Sequence, residues 1–315
     1  MKFSLYITGG GTGVIPMLLD QGGASKYIYD IQVPYNCEAV DYLIGHQQKY
    51  CSEEVAKRLA FAAYRNMSYE KANFGIGVTA SLRKSNEREG RENLAYVCMV
   101  DSDGVFMYKE LRFTQKTRKE QEDSLAGILY EFIIEHVFKD YKYTHEVFQA
   151  ITNNENYFIP VNGNLPCGTI YSGSFNPLHD GHRAIIKHHN AKYGDLDIEI
   201  AYDNADKGQI SFYELLERVQ QDFVNINGIW VTNTPKFIDK SFDLSIDGVR
   251  PSLVMGTDTY NRIPNNELEL LKHTNIYIYP RGDMYVKGLL SSKHQIVQNF
   301  AGVNVSSTEL RNAAK

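Results

Sequence analysis

The sequence predicts an α/β chain of two domains, each a layer of helices on a sheet. Three observations predict it. A length of 315 residues suits two domains of ordinary size, and 43% hydrophobic content gives each a core. Strand-like runs alternate with helical patterns in both halves. Between the halves, residues 151–166 (ITNNENYFIPVNGNLP) are rich in Asn and hold Gly163, Pro160 and Pro166, the composition of a linker. The first domain is therefore placed at 1–150, the linker at 151–166 and the second domain at 167–315. No internal repeat or low-complexity tract interrupts either half.

The elements follow in chain order. Residues 2–8 (KFSLYIT) read as a strand running into the glycine turn 9–13, and 14–19 as a helix. That turn lacks the strict GxGxxG pattern with a later acidic partner that a dinucleotide site requires. Residues 53–65 form an amphipathic helix with Ser52 as N-cap. Residues 74–79 and 94–100 read as buried strands around a charged loop at 83–93, and 123–138 as a long apolar-faced helix. In the second half, 167–172 (CGTIYS) is a short, partly β-branched strand bounded by Pro166. A tight turn, GSFNPLHDGH at 173–182, follows, and a helix opens from Arg183.

Composition sets bounds. A net charge of −5 and a pI near 6.0, with no basic stripe, argue against nucleic-acid binding. Mean hydropathy is −0.37 and no apolar run reaches the roughly 18 residues of a membrane span. The glycines at 9–11 interrupt any signal-peptide pattern. Cys37, Cys51, Cys98 and Cys167 lie far apart without a CxxC, which fits reduced thiols in a cytoplasmic protein, and Cys98 reads as core. A homo-oligomer is compatible with the chain, though nothing in it fixes one.

The turn at 173–182 carries the chemistry. Free N–H groups and the helix dipole at a helix start suit phosphate. His179 and His182, three residues apart, can donate hydrogen bonds to a phosphoryl group as its charge develops. Gly173 lets the backbone approach a ligand, and Gly181 lets a nucleotide pass beside the helix. The same histidines could instead be surface residues of an ordinary loop. No Cys, Asp or Glu cluster completes a zinc spacing with them. A second segment, VSSTELR at 305–311, reads as a strand end, hydroxyl residues at an N-cap and a helix with Arg311 in its first turn. Ser306, Ser307 and Thr308 can cap that helix or hold phosphate, and Arg311 can grip phosphate oxygens in a bidentate way.

GSFNPLHDGH together with SSTELR resembles the HxGH nucleotidyltransferase superfamily, specifically the adenylyltransferases that act on nicotinamide or nicotinate mononucleotide. VMGTD at 254–258 resembles the family's strand ending in G-[AST]-D, and IYIYPRG at 276–282 its later strand ending in Arg and a small residue. NADK at 204–207 and TPKFIDK at 234–240 look like a cytidylyltransferase-like branch. The resemblance covers about residues 166–315. Two departures stand out: the tryptophan usual after the G-x-D strand is missing, since Trp230 precedes it, and only four residues follow Arg311.

The resemblance implies a Rossmann-like parallel-sheet domain in which a mononucleotide phosphate attacks the α-phosphorus of ATP and pyrophosphate leaves, with Mg2+ accompanying the nucleotide. His179 and His182 would be catalytic, His182 on the α-phosphate. Ser307, Thr308 and Arg311 would hold the leaving phosphates, with Ser306 beside them binding substrate. Gly173, Ser174, Phe175, Gly256 and Arg281 would bind substrate. Asp258 would contact a sugar or base, or else cap the next helix. Lys207 and Lys240 would contact phosphate, or else be solvated. CTP, another phosphorylated acceptor, or a non-catalytic nucleotide sensor are the competing readings.

The first half resembles the CinA C-terminal domain, the nicotinamide mononucleotide deamidase family. Thr8-Gly9-Gly10 matches the end of its A-E-S-x-T-G-G turn, Tyr35 to Val40 its Y-S-N-E-x-K stretch, Val78-Thr79 its V-T-G-x-A-G-P turn and Arg118 its G-D-R arginine. The departures fall on the chemistry: Tyr6 stands at the serine position, Val40 at the lysine position, and Ala80-Ser81-Leu82-Arg83-Lys84 replace the G-x-A-G-P run. This implies a CinA-like domain that has lost hydrolysis.

Overall fold

The computed structural model describes residues 1–67, 73–84, 92–104, 106–153, 158–161, 166–204, 208–245, 249–282, 284–288 and 291–301. The chain divides into two compact units, Met1–Lys142 and Tyr143–Lys315.

The first unit runs β1 (Lys2–Thr8), α1 (Val14–Leu19), β2 (Ile28–Gln32), α2 (Cys37–Ile44), α3 (Glu53–Arg65), β3 (Asn73–Ser81), β4 (Leu94–Val100), β5 (Phe106–Arg112) and α4 (Arg118–His136). Its sheet has the order β2-β1-β3-β4-β5, parallel across β2-β1-β3 and antiparallel beyond. α3 starts where expected, with the Ser52 hydroxyl accepting from the Val55 N–H. It buries Val55, Ala56, Leu59, Ala60 and Ala63. Gly75 and Gly77 admit the helix directly onto β3, since a Cβ there would lie 2.1 Å from the Ala60 carbonyl oxygen and 2.2 Å from that of Ala56. Cys98 is fully buried in β4, and burial pushes its thiol up to about 11.

The second unit runs α5 (Lys142–Thr152), β6 (Phe158–Pro160), β7 (Thr169–Ser172), α6 (Asp180–Tyr193), β8 (Asp197–Ala201), a short hairpin of β9 (Asp203–Asn204) and β10 (Gly208–Gln209), α7 (Phe212–Val219), β11 (Ile229–Thr232), α8 (Phe237–Asp243), β12 (Ser252–Gly256), α9 (Thr257–Arg262), α10 (Asn265–Leu270), β13 (Ile276–Tyr279) and β14 (His294–Ile296). The stretch expected as a linker at 151–166 contains structure. β6 adds an antiparallel edge to β11, and Val147 and Ile151 of α5 enter the second unit's core, so the second unit begins earlier than its sequence boundary. Helix α6 likewise opens at Asp180 with His179 as N-cap, three residues ahead of the expected start at Arg183.

The seven-stranded sheet has the order β14-β13-β12-β7-β8-β11-β6 and is parallel except at β6. β7 therefore sends the chain to one side through β8 and β11, then returns it to the other through β12. The order reverses between β7 and β12, and in open parallel sheets ligands bind at the strand carboxyl ends beside such a reversal. One face packs Ile198, Ile200, Val231 and Val254 with Ile185 and Ile186 of α6; the other packs Ile170, Trp230, Leu253 and Met255 with Ile238 of α8. Among the described residues no helix is long and apolar enough to cross a membrane.

Candidate active site

The loop after β7 and the helix after β12 meet at this reversal. Gly173 leaves β7 with its N–H donating to the Glu199 carbonyl at 3.1 Å. Its lack of a side chain makes room for a neighbour: a Cβ would lie 2.9 Å from the Phe175 ring. Phe175 is buried and carries φ 41°, a left-handed conformation that costs a bulky residue on the order of 1–3 kcal/mol. Its ring meets Tyr171, His182 and Phe223 edge-on at 5.2, 5.0 and 5.4 Å. Ser174 lies half-buried beside it.

The two histidines stack, ring centroids 3.7 Å apart and 21° from parallel. The His179 N–H donates to Nδ1 of His182 at 3.3 Å. Burial, with the neighbouring His179 and Arg281, lowers His182 to about 3. Burial and Arg281 also lower His179. His182 is thus neutral at pH 7. Because its Nδ1 accepts, the ring proton sits on Nε2, leaving one N–H donor to offer. The Nδ1 of His179 is buried without a hydrogen-bond partner among the described residues.

Asp258 and Arg281, read separately in the sequence, form one ion pair at 2.8 Å. Asp258 lies in the first turn of α9, close over its N-cap: a Cβ on Gly256 would stand 2.7 Å from the Asp258 carboxylate. No side chain caps α9, so Asp258 serves Arg281 and, more loosely, Arg262 at 3.9 Å rather than the helix end. Arg281 follows β13 and places positive charge near both histidines. His179, His182, Gly173, Ser174, Phe175, Gly256, Asp258 and Arg281 thus gather at the ends of β7, β12 and β13.

Lys240 does not join them as a free phosphate contact. It is 4% exposed on α8, with its ammonium on Glu199 Oε2 at 2.9 Å and Ser172 Oγ at 3.0 Å. The Glu199 carboxylate also accepts from Thr232 at 2.5 Å and from the Ser172 hydroxyl. The alternation of β8 explains it: Ile198 and Ile200 take one core face, so Glu199 must enter the other and needs a buried cation. Lys207, Ser306, Ser307, Thr308 and Arg311 lie outside the described residues. Glu199 and Gln221, which bonds to the loop before His179, went unread in the sequence. An acid in a buried strand was a usable signal for the first; no motif marks the second.

In the first unit, the glycine turn is filled by the chain itself. The Glu122 carboxylate accepts from the N–H of Gly11 at 2.9 Å and of Gly13 at 3.2 Å, and from the Thr12 hydroxyl at 3.1 Å. Arg118 donates to the carbonyls of Gly9 and Arg83 at 3.1 and 3.3 Å, beside a cleft lined by Arg83, Lys84, Lys116 and Thr117. Tyr6, at the expected serine position, is buried with its hydroxyl 3.4 Å from Asp30, and burial pushes it up to about 12. Val40 is a core residue of α2.

The histidine-bearing glycine loop at the reversal of a parallel sheet is a place for a nucleotide's phosphates, and sequence comparison agrees with a nucleotidyltransferase domain in the second unit. Residues 170–313 match the family described as cytidylyltransferase-like. A curated relative from Cytophaga hutchinsonii, described as "Probable nicotinate-nucleotide adenylyltransferase", is 26% identical over 167 residues, 46% of this chain and 84% of its own length. A solved nicotinic acid mononucleotide adenylyltransferase of Plasmodium falciparum, complexed with NaAD, aligns over 46% of this chain and 82% of its own, at 16% identity and a TM-score of 0.35. A competence-damaged protein (CinA) superfamily structure from Escherichia coli aligns over 42% of this chain and 76% of its own, at 14% identity and a TM-score of 0.33.

Proposed function

We propose that the second unit transfers the adenylyl group of ATP to nicotinate or nicotinamide mononucleotide and releases pyrophosphate. The observation that carries this is the neutral, stacked His179–His182 pair at the start of α6, beside Arg281 at the sheet reversal. The Cytophaga relative supports the choice of acceptor. An acceptor phosphate oxygen bonds to the α-phosphorus while the bond to the bridging oxygen breaks, and pyrophosphate leaves with that electron pair. The protein's part is in-line placement and charge stabilisation. His182 donates its Nε2–H to the α-phosphoryl oxygens, and the dipole of α6 favours the same charge. Arg281, oriented by Asp258, binds the acceptor side. Ser307, Thr308 and Arg311 are assigned to the leaving phosphates.

Among the described residues no cluster of three His, Cys, Asp or Glu could hold a metal ion, and Asp258 is already paired with Arg281. Magnesium would accompany the triphosphate as part of the substrate, where phosphate oxygens and water would hold it. The first unit is read as a non-hydrolysing CinA relative, because Tyr6 and Val40 supply neither a small hydroxyl nucleophile nor an activating lysine.

The description of the matched family favours one second reading, a cytidylyl transfer. Pyrophosphate release from ATP and from CTP, each with both mononucleotides, separates the two. Turnover with ATP and either mononucleotide is the expected result. Release only with CTP keeps the transfer chemistry and the acceptor and makes the donor CTP; silence with every pair, despite ATP binding, moves the unit to the sensor reading.

A further inference from the structure

Gln221 follows α7 and belongs to none of the motifs above, yet its side-chain amide spans the loop that leads into His179. Nε2 donates to the Phe175 carbonyl at 2.6 Å and to the Arg218 carbonyl at 3.2 Å, while Oε1 accepts the Leu178 N–H. The amide thus bridges the first and last residues of Phe175-Asn176-Pro177-Leu178, one step before His179. One partner is an acceptor and the other a donor, and the two ends of the side-chain amide satisfy both. A carboxylate would face the Phe175 carbonyl with no proton to give, and an apolar group would leave both backbone groups open.

The next two residues grip the same region. The Arg183 guanidinium, in the first turns of α6, donates to the Asp222 carbonyl. The Phe223 ring meets Phe175 edge-on at 5.4 Å. Phe175 in turn packs against His182 at 5.0 Å. The chain 221–223 therefore holds the loop backbone, the loop aromatic and the helix start. Phe175 keeps its left-handed φ of 41° inside this grip.

We propose that Gln221 is a positioning residue for the histidine pair: its amide clamp fixes the 175–178 loop and, through Phe175 and Leu178, sets His182 and His179. The catalytic half of this statement rests on the transfer reaction proposed above; the structural half does not. Gln221 touches no reacting atom. It acts by holding His182 against Phe175 and out of water.

The test uses the full chain and two readouts. In the first, histidine-labelled protein is titrated between pH 7.5 and 5 by 15N NMR, with His182→Ala supplying the assignment. His182 in the parent protein stays neutral throughout, since burial holds it near 3. In Gln221→Ala the loosened loop admits water, and His182 begins to protonate above pH 5. In the second, kcat falls roughly 10- to 100-fold in Gln221→Ala with KM for ATP within about 3-fold, the pattern of misplaced chemistry rather than lost binding. Gln221→Glu, which keeps only the acceptor half, also lowers kcat. Gln221→Asn, with the same amide one methylene short, serves if Gln221→Ala does not fold. A folded Gln221→Ala whose His182 stays neutral to pH 5 and whose kcat is unchanged overturns the clamp. If no substrate pair turns over in the parent protein, the transfer reading fails, and the His182 titration alone decides whether the clamp exists.

Discussion

At His182, burial and the charges nearby hold the imidazole neutral at pH 7, so in the proposed transfer it offers a fixed Nε2–H rather than a cation. A preorganised donor costs no reorganisation as charge develops on phosphorus. His182→Ala should therefore lower turnover at least about 100-fold while leaving thermal stability close to the parent's. Near-normal turnover would remove the histidine from the mechanism. Lys240 poses the opposite case. Its ammonium neutralises a fully buried Glu199, so Lys240→Met strands a charge and should destabilise by about 3–5 kcal/mol. Lys240→Met with Glu199→Leu removes both charges and should recover most of that loss in a urea titration. If the double variant is no more stable than the single one, the ion pair is not what holds α8 to the sheet. The same residue shows why its role escaped the sequence. A lysine in TPKFIDK reads as loop or helix surface, and only the inward side of β8 reveals the carboxylate waiting for it.

At the scale of elements, local signals were legible wherever sequence alone decides the geometry. Ser52 starts α3 because its hydroxyl satisfies an open N–H, a choice made within four residues. Strand β1, the glycine turn and α1 follow from short-range pattern in the same way. What the sequence hides is set by partners far along the chain. The glycine turn at residues 9–13 has open N–H groups, but Glu122, over a hundred residues later, fills them. β6 reads as linker because its three residues become a strand only when β11 offers an edge. Asp258 and Arg281 are each visible in a motif, and their pairing appears only once β12 and β13 lie side by side. Helix α7 shows the value of a local signal near the site. Ser211 and Glu214 form a full capping box at its start, and Gln221 lies just beyond its end. Ser211→Ala should cost about 1 kcal/mol of stability. If the helix end holds Gln221 through Arg218, kcat should drop less than in Gln221→Ala; a larger drop would place the control of the loop in α7 rather than in the clamp.

Across the whole molecule, titration is unevenly distributed between the two units. His145, His179, His182, His189 and His294 are all lowered by burial, and all lie in the second unit. Of the histidines among the described residues of the first, His136 alone is lowered. A histidine held neutral when folded but free to protonate near 6.5 when unfolded makes the unfolded chain bind more protons below that pH. Its contribution is complete above about 6.5, and it is lost as pH falls toward the folded values, about 4 for His145 and His189 and about 3 for His182. Acid should therefore weaken the second unit before the first. The chain supplies its own reporter, because Trp230 is its one tryptophan and sits buried in β11 of the second unit. Urea titrations followed by tryptophan fluorescence should show the midpoint falling steadily from pH 6.5 to 4.5. Far-UV circular dichroism, which also counts the first unit, should show the fall only in part of its amplitude. A fluorescence midpoint that holds level across that range would mean the histidines protonate without unfolding cost. The neutrality assigned to His182 at low pH would then be withdrawn.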